Sequence, residues 1–452
     1  MKPETPRDLA LRILTEQHSR AVYSADALNA FFESSPYLDE RDKAFTTNLV
    51  QGVLRWRLRL DWIIEQFSDF SLKKVSPRVL NILRLALYQI LFLDRVPDSA
   101  AVNEAVMQVK KRNGRHVVSY VNAVLRNVCR RNDQIFFPDR AKDPVLFLSV
   151  YYSYPEWIVN KWLRELGVDF TERLLAAGNR VPVTTIRANR LRLSRESLIR
   201  HLEEEGVRAQ PTAHCPAGLF LEDLRGRVDL LQSFSKGFFQ VQDQAAQICS
   251  FLLSPHPGDR VLDVCAGYGG KTTHLAELMG DIGLVIALDL NHRKLLALAS
   301  SAARLGIQSI NQVVADASRS LSFLFAPKFD LIMVDAPCSG LGVISRHPDA
   351  KWKKKEEDIP RLAEIQKKML HAAFSVLRQG RRMLYITCTI SREENEGVVE
   401  HFLASQNGAY LEDLRENAPE WAKVLIDANG FFRTFPHVHQ MDGFFGALFV
   451  RR

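Results

Sequence analysis

The stretch Arg260-Val261-Leu262-Asp263-Val264-Cys265-Ala266-Gly267-Tyr268-Gly269-Gly270-Lys271-Thr272-Thr273-His274 runs from an apolar strand into a glycine-rich turn and a helix start. Three glycines in four positions, Gly267, Gly269 and Gly270, let backbone approach a ligand closely. The spacing excludes two familiar phosphate cradles. A P-loop needs glycine five positions before Gly270, where Cys265 stands, and the dinucleotide fingerprint Gly-x-Gly-x-x-Gly is here Gly-x-Gly-Gly. Ligands of open α/β sheets bind beyond the carboxyl ends of the strands. The next strand ends at Asp289, 24 residues after Cys265, where an acid can take both hydroxyls of a ribose. The third ends at Asp316, placed to accept the exocyclic amine of an adenine. Taken singly, each glycine serves a tight turn and each aspartate a helix N-cap equally well. Together, the loop Cys265, Ala266, Gly267, Tyr268, Gly269, Gly270 and Lys271, with Asp289 and Asp316, describes a pocket for a nucleoside without a long phosphate tail. S-adenosylmethionine fits it.

Around this loop, strand and helix alternate from residue 236 onward. Strands are expected at Arg260–Val264, Leu284–Leu288, Ile310–Val314, Leu331–Val334 and Met383–Thr387. Helices are expected at Lys271–Met279, His292–Leu305, Ile359–Leu377 and Glu393–Ser405, and Gly443–Val450 reads as a late antiparallel strand. That order predicts a mainly parallel sheet with helices on both faces. Residues 141–235 read as linker helices, including Glu156–Leu166, and a small α+β module. In it the strand Val183–Arg187 precedes a helix opened by Ser194 and stopped at Gly206. Residues 1–140 read as all-α, with Pro36, Pro77 and Pro97 between helices and a nearly all-apolar helix at 79–93 as the bundle centre.

The chain has 452 residues, 46% apolar and 25% charged, which suits several globular domains and excludes a mostly disordered or fibrous protein. No apolar run reaches the roughly 18–20 residues of a membrane span. The first residues lack the apolar core of a signal peptide. The six cysteines form no CxxC pair, so a disulfide scaffold or cysteine-bound zinc is not expected, and a cytoplasmic, metal-free monomer with reduced thiols is. Of the net charge of +8, residues 1–140 carry +6 (22 basic, 16 acidic). Lys110, Lys111, Arg112, Arg115, Arg126, Arg130 and Arg131 form a run with no acidic residue among them. Such a field suits a polyanion such as nucleic acid, and equally a solvated face.

Two cysteines stand apart. Strand four ends in Asp335-Ala336-Pro337-Cys338-Ser339-Gly340 and strand five in Thr387-Cys388-Thr389, so both thiols lie at strand tips beside the pocket. Cys129 and Cys249 sit in helical patterns and read as buried hydrophobes, as does Cys215. Two thiols, an acid and a sulfonium methyl donor suit one chemistry. Cytosine C5 is too weak a nucleophile to attack the methyl group. A thiolate added at C6 makes C5 enamine-like, methyl transfer follows, and a base then removes the C5 proton. The base must be single-stranded or flipped out of a helix.

Cys265–His274, Asp335–Gly340 and Thr387–Thr389 followed by Glu393-Glu394-Asn395 resemble the cofactor loop and two catalytic motifs of RNA cytosine-5 methyltransferases. The resemblance implies Cys388 as nucleophile, Cys338 as the group assisting product release and Asp335 as the residue orienting the cytosine. Tyr268 stands where the family usually has proline. Phe239-Gln240-Val241-Gln242-Asp243 is similar to the segment opening the catalytic domain, and Asp442-Gly443-Phe444-Phe445 to its closing motif. Arg346-His347-Pro348-Asp349-Ala350-Lys351-Trp352 resembles a stretch for which an RNA contact is expected. Ala101–Val106, Tyr120–Asn127 and Arg41–Phe45 with Val53-Leu54-Arg55 resemble the helical domain related to NusB. Together these motifs resemble the bacterial 16S ribosomal RNA cytosine-5 methyltransferases of the RsmB (Sun/Fmu) type. The division implied is 1–140 NusB-like and RNA-binding, 141–235 linker, and 236–452 a Rossmann-like class I methyltransferase domain. The alternatives are the same chemistry on tRNA or 23S RNA, and a non-catalytic RNA-binding or antitermination factor with a vestigial methyltransferase fold. A DNA cytosine methyltransferase is disfavoured, since those enzymes attack from the Pro-Cys motif.

Overall fold

The computed structural model describes residues 4–17, 24–35, 38–224, 226–325 and 329–452. Pro36 and the first three residues lie outside them. The chain divides into two compact units, Met1–Arg180 with Ile344–Glu356, and Val181–Val343 with Glu357–Arg452.

The first unit is helical: α1 (Pro6–Gln17), α2 (Ser24–Glu33), α3 (Glu40–Gln66), α4 (Pro77–Phe92), α5 (Asp98–Lys110), α6 (Arg115–Arg130), α7 (Pro144–Tyr152), α8 (Glu156–Leu166) and α9 (Val168–Gly178). Ser76 caps α4 by accepting from the Val79 N–H, with Pro77 in its first turn, where no donor is lost. Its side chains Val79, Ile82, Leu83, Ala86 and Leu87 are buried in one core with α1, α3, α5 and α6, as the apolar run at 79–93 predicts. The seven side chains of the basic run are all exposed, on the end of α5 and on α6 and its C-cap. The compact unit runs on past 140, where α7 packs on α3.

Residues 344–356 supply the cause of a kink in α3. Trp56 is non-helical there, so the Leu58 N–H leaves the ladder and donates to Ser153 Oγ at 2.9 Å. The freed Leu54 carbonyl accepts from Trp352 Nε1 at 2.6 Å, and the Arg55 carbonyl accepts from Lys351 Nζ at 2.8 Å. Side chains inserted into a helix ladder bend it. Lys351 also donates to Asn179 Oδ1 and stands 4.0 Å over the Tyr154 ring, while Asp349 accepts from the Ser24 N–H. The RNA contact expected of Arg346–Trp352 is therefore corrected for Asp349 and Lys351, which are fully buried and bonded to protein atoms.

The second unit begins with an antiparallel sheet of β1 (Thr184–Ala188), β2 (Arg208–Pro211), β3 (Gly218–Glu222) and β4 (Phe239–Val241) in the order β2-β3-β1-β4. Helices α10 (Arg195–Glu204) and the short α11 (Gln232–Ser235) accompany it. Ser194 caps α10 as expected. The segment Phe239–Asp243 does more than open the following domain: β4 is an edge strand of this sheet, paired Ile186 to Val241. The register explains the pairing, since Ile186, Ala188, Leu219, Leu221 and Phe239 share one core with Leu198 and Leu202 of α10.

After α12 (Gln244–Leu253) come β5 (Arg260–Val264), α13 (Gly270–Leu278), β6 (Leu284–Asp289), α14 (His292–Leu305), β7 (Ile310–Val314) and β8 (Phe329–Asp335). With Ala350–Lys353 of the first unit counted as α15, there follow α16 (Asp358–Ser375), β9 (Leu377–Thr387), α17 (Glu396–Ser405), β10 (Ala409–Glu412), β11 (Phe432–Arg433) and β12 (Phe445–Arg451). The sheet order is β10-β12-β9-β8-β5-β6-β7, parallel from β9 to β7, with β12 antiparallel to β9. Leu331 and Met333 face one core, while Ile332 and Val334 face the other, the period-two signature of a sheet covered on both sides. Strand order reverses around β5, which opens the ligand crevice at its carboxyl end.

Candidate active site

The loop leaving β5 turns through left-handed backbone at Cys265 (φ 65°), Gly267 (58°) and Gly269 (81°). At Cys265 an L side chain holds that conformation at a cost of about 1–3 kcal/mol. Its sulfur lies against Met369 Sδ, so only its backbone borders the loop. Gly269 is required twice, since a Cβ there would stand 2.4 Å from Leu298 Cγ. The turn delivers the N-terminus of α13, with its unpaired N–H groups and positive dipole end. Tyr268, at the loop apex, is exposed and lies beneath Lys294 Nζ, 5.7 Å from its ring centre.

Asp289, at the tip of β6, accepts from the Gly267 N–H at 2.9 Å and the Asn291 N–H at 2.7 Å. Each carboxylate oxygen keeps a further lone pair, as a ribose diol needs. Asp316 follows β7 and accepts from the Ser318 N–H and Oγ, with Arg319 at 3.4 Å; the Ser318 bonds hold its carboxyl below the usual range. Asp263 lies inside β5, buried and accepting from Thr272 Oγ1 at 2.6 Å; burial pushes its pKa up to about 7. Lys271 Nζ donates to Asp335 Oδ2 at 2.7 Å and stands 5.2 Å from the Phe444 ring. Burial works against the ammonium, but the Asp335 carboxylate outweighs it and holds the Lys271 pKa above its ordinary value.

The two strand-tip thiols meet, with Cys338 Sγ 3.3 Å from Cys388 Sγ. β8 and β9 are neighbours, which brings residues 50 positions apart together. The bond to Cys388, then burial, then the charges of Cys388 and Glu394 raise the Cys338 pKa well above that of a free thiol. Three loops are clamped here. The Gly342 N–H donates to the Cys388 carbonyl at 3.0 Å and the Gly443 N–H to the Gly342 carbonyl at 2.9 Å. A Cβ on Gly342 would fall 1.9 Å from the Gly443 oxygen, so the approach requires glycine. Beneath them, buried Glu394 accepts from the Ser339 N–H at 2.8 Å, from Ser339 Oγ and from Gln366 Nε2 at 3.1 Å. Asn395 accepts from Thr387 Oγ1 and donates to the Thr389 carbonyl.

The predicted loop, Asp289, Asp335, Cys338 and Cys388 thus all border the carboxyl edge of one sheet. Sequence reasoning quoted Glu394, Asn395, Gln242, Ser339 and Arg187 without a role and passed over Gln366. For Gln366, mid-helix in α16, no local pattern separates it from a surface glutamine. The pocket fits an adenosyl sulfonium on its own terms, with a carboxylate for the ribose, an open turn at Gly267 and a buried, unpartnered amide nitrogen on Gln242.

Three family models match along the chain: the NusB family over residues 4–130, an RsmF/B-like methyltransferase ferredoxin-like domain over 154–226, and 16S rRNA methyltransferase RsmB/F over 250–450. A probable ribosomal RNA small subunit methyltransferase B of Bacillus subtilis is 34% identical, with 98% of each chain covered. One of the same name from Synechocystis is 35% identical over 97% of this chain and 98% of its own. The crystal structure of PH0851 superposes with a TM-score of 0.81 at 26% identity, covering 99% of both chains. With relatives this similar along its whole length, and thiols, cofactor loop and clamp on one sheet edge, the chain belongs to the RsmB/F family of 16S ribosomal RNA methyltransferases.

Proposed function

We propose that the chain methylates C5 of a cytosine in 16S ribosomal RNA through a covalent cysteine–C6 adduct. The observation that carries this reading is the Cys338–Cys388 pair at 3.3 Å beside the Lys271–Asp335 pair. Bound S-adenosylmethionine supplies an electrophilic methyl group. Asp289 holds its ribose, Asp316 its adenine amine, and the loop Cys265–Lys271 its remaining length. The Cys388 thiolate adds to C6, and the ring electrons shift toward C5, which takes the methyl group. Asp335 Oδ2 is occupied by Lys271, and Oδ1 accepts from the cytosine N4 amine. The Cys338 thiolate then takes the C5 proton, the C5–C6 double bond re-forms and Cys388 leaves as thiolate. Residues 1–140, with the exposed basic run, position the RNA by phosphate contacts, which carry little sequence information. Residues 141–235 join them to the catalytic stretch 236–452. The free cysteines suit a cytoplasmic protein, and no helix among the described residues is long and apolar enough to cross a membrane.

The deciding experiment is bisulfite sequencing of total RNA with and without the gene, joined to turnover of purified variants. Cys388→Ala abolishes methylation, and Cys338→Ala accumulates an RNA–protein band on a denaturing gel. Parent-rate turnover by Cys388→Ala removes the nucleophile assignment, and methylation lost from tRNA or 23S RNA instead removes the 16S assignment.

A further inference from the structure

Arg187 of β1 is fully buried, and all five of its N–H donors are used. Nε and Nη2 donate to the two Glu277 oxygens at 3.1 and 2.6 Å, and Nη2 to Thr273 Oγ1 at 3.1 Å. Nη1 donates to the Gly270 carbonyl at 2.8 Å and to Gln242 Oε1. Thr273 Oγ1 passes the contact on to the Gly269 carbonyl at 2.8 Å. A guanidinium from the small antiparallel sheet thus grips the start of α13 and the cofactor loop. It also fixes an orientation. Arg187 has only donors, so the Gln242 amide must present its oxygen to it and its nitrogen away from it. Gln242 is 7% exposed, yet that nitrogen has no hydrogen-bond partner among the described residues. It lies 3.8 Å from where a Cβ of Gly270 would stand, at the first residue of α13. A buried, unpaired amide donor is costly, and one turned that way by a guanidinium itself fixed by five bonds has a ligand to meet.

We infer that Gln242, oriented by Arg187, donates to the carboxylate of the amino-acid end of the bound cofactor. The inference rests on the cofactor reading above and deepens it. The sulfonium has three branches. The adenosyl branch runs to Asp289 on β6, and the methyl branch must face the thiols on β8 and β9. The aminobutyrate branch is left for the N-terminus of α13, where N–H groups and the Gln242 amide suit an anion. Arg187 is a positioning residue and the small sheet a part of the cofactor site.

Calorimetric titration of the full chain with two ligands tests this. S-adenosylhomocysteine has the amino-acid end, and 5′-methylthioadenosine lacks it. Gln242→Met weakens S-adenosylhomocysteine about tenfold or more and leaves 5′-methylthioadenosine within about twofold, which also shows that the variant is folded. The paired replacement Arg187→Met with Glu277→Leu leaves no lone buried charge. It melts near the parent temperature but shows the same selective loss. Equal loss of both ligands, no loss of either, or parent-like S-adenosylhomocysteine binding by the paired variant overturns the inference. A parent chain that binds neither ligand overturns the cofactor reading itself, a distinguishable failure.

Discussion

Replacing Glu394 separates the chemistry of the thiols from the scaffold that holds them. The carboxylate is fully buried and accepts from the Ser339 N–H, Ser339 Oγ and Gln366 Nε2. Glu394→Ala removes all three bonds. Ser339 Oγ retains Thr389 Oγ1, and Gln366 Nε2 retains the Pro337 carbonyl, so one donor, the Ser339 N–H, is orphaned. One orphaned buried donor at about 1–3 kcal/mol, plus loss of the charge-assisted bonds, gives a destabilisation of about 3 kcal/mol. Glu394→Gln behaves differently. Its oxygen takes the place that accepts from Ser339 N–H and Gln366. Its NH2 donates to Ser339 Oγ, whose hydrogen turns to Thr389, so the cost is about 1 kcal/mol or less. In a unit of this size about 3 kcal/mol corresponds to a melting temperature lowered by about 6–12 °C. Scanning calorimetry with bound S-adenosylhomocysteine compares the two variants. Equal melting temperatures for Ala and Gln, or an Ala variant that melts with the parent, would refute the role assigned to this carboxylate.

Asp263 has a folded-state pKa raised from 3.8 to about 7, so its contribution is fully present below pH 3.8 and is lost as pH rises through 7. Asp263→Asn therefore gains stability over the parent on going from pH 5.5 to 8.5, by about 2 kcal/mol, and a pH-independent difference contradicts the assignment. Lys351 is buried in the first unit, and burial lowers its pKa well below 10.5, so the unfolded chain binds the extra proton and stability rises with pH. Lys351→Met is accordingly most favourable, relative to the parent, near pH 6 and loses that advantage toward pH 10; the opposite trend in urea titrations would refute it. Affinity for ribosomal RNA falls steeply with salt in filter-binding assays if the run Lys110–Arg131 meets phosphates, and neutralising Arg126, Arg130 and Arg131 flattens the slope by about three.

The parallel sheet was legible because its strands are short apolar runs closed by polar or turn residues, as at Asp289 and Asp335. Arg260–Val264 and Ile310–Val314 appear with the boundaries their patterns predict, and His292–Leu305 is closed by Gly306 in left-handed backbone. The thiols were legible as strand-tip residues, but their 3.3 Å approach follows from β8 and β9 being neighbours, which periodicity does not state. Arg187 was illegible. It occupies an inward position of a short strand, where a charged residue argues for the solvent face, and its partners lie 55 to 90 residues downstream. The kink at Trp56 was equally hidden, since its cause, Lys351 and Trp352, is almost 300 residues away in sequence.

The two thiols divide the reaction in time because they share one environment. At 3.3 Å two thiolates repel strongly in a buried site, so when one ionises the other keeps its proton and donates it. The hydrogen bond to Cys388 raises the Cys338 pKa most, then burial, and the charges of Cys388 and Glu394 add to it. In the proposed reaction Cys338, with its raised pKa, keeps its proton while Cys388 attacks C6. Addition turns the Cys388 sulfur into a neutral thioether. With Cys388 bonded to C6, the contact that raises the Cys338 pKa is lost, and in the proposed elimination Cys338, its own proton having passed to solvent, takes the proton from C5. The order of events therefore needs no moving part. It follows from two sulfurs in contact, one of which bonds to the base, on loops that Glu394, Asn395 and the Gly342–Gly443 contact keep from separating.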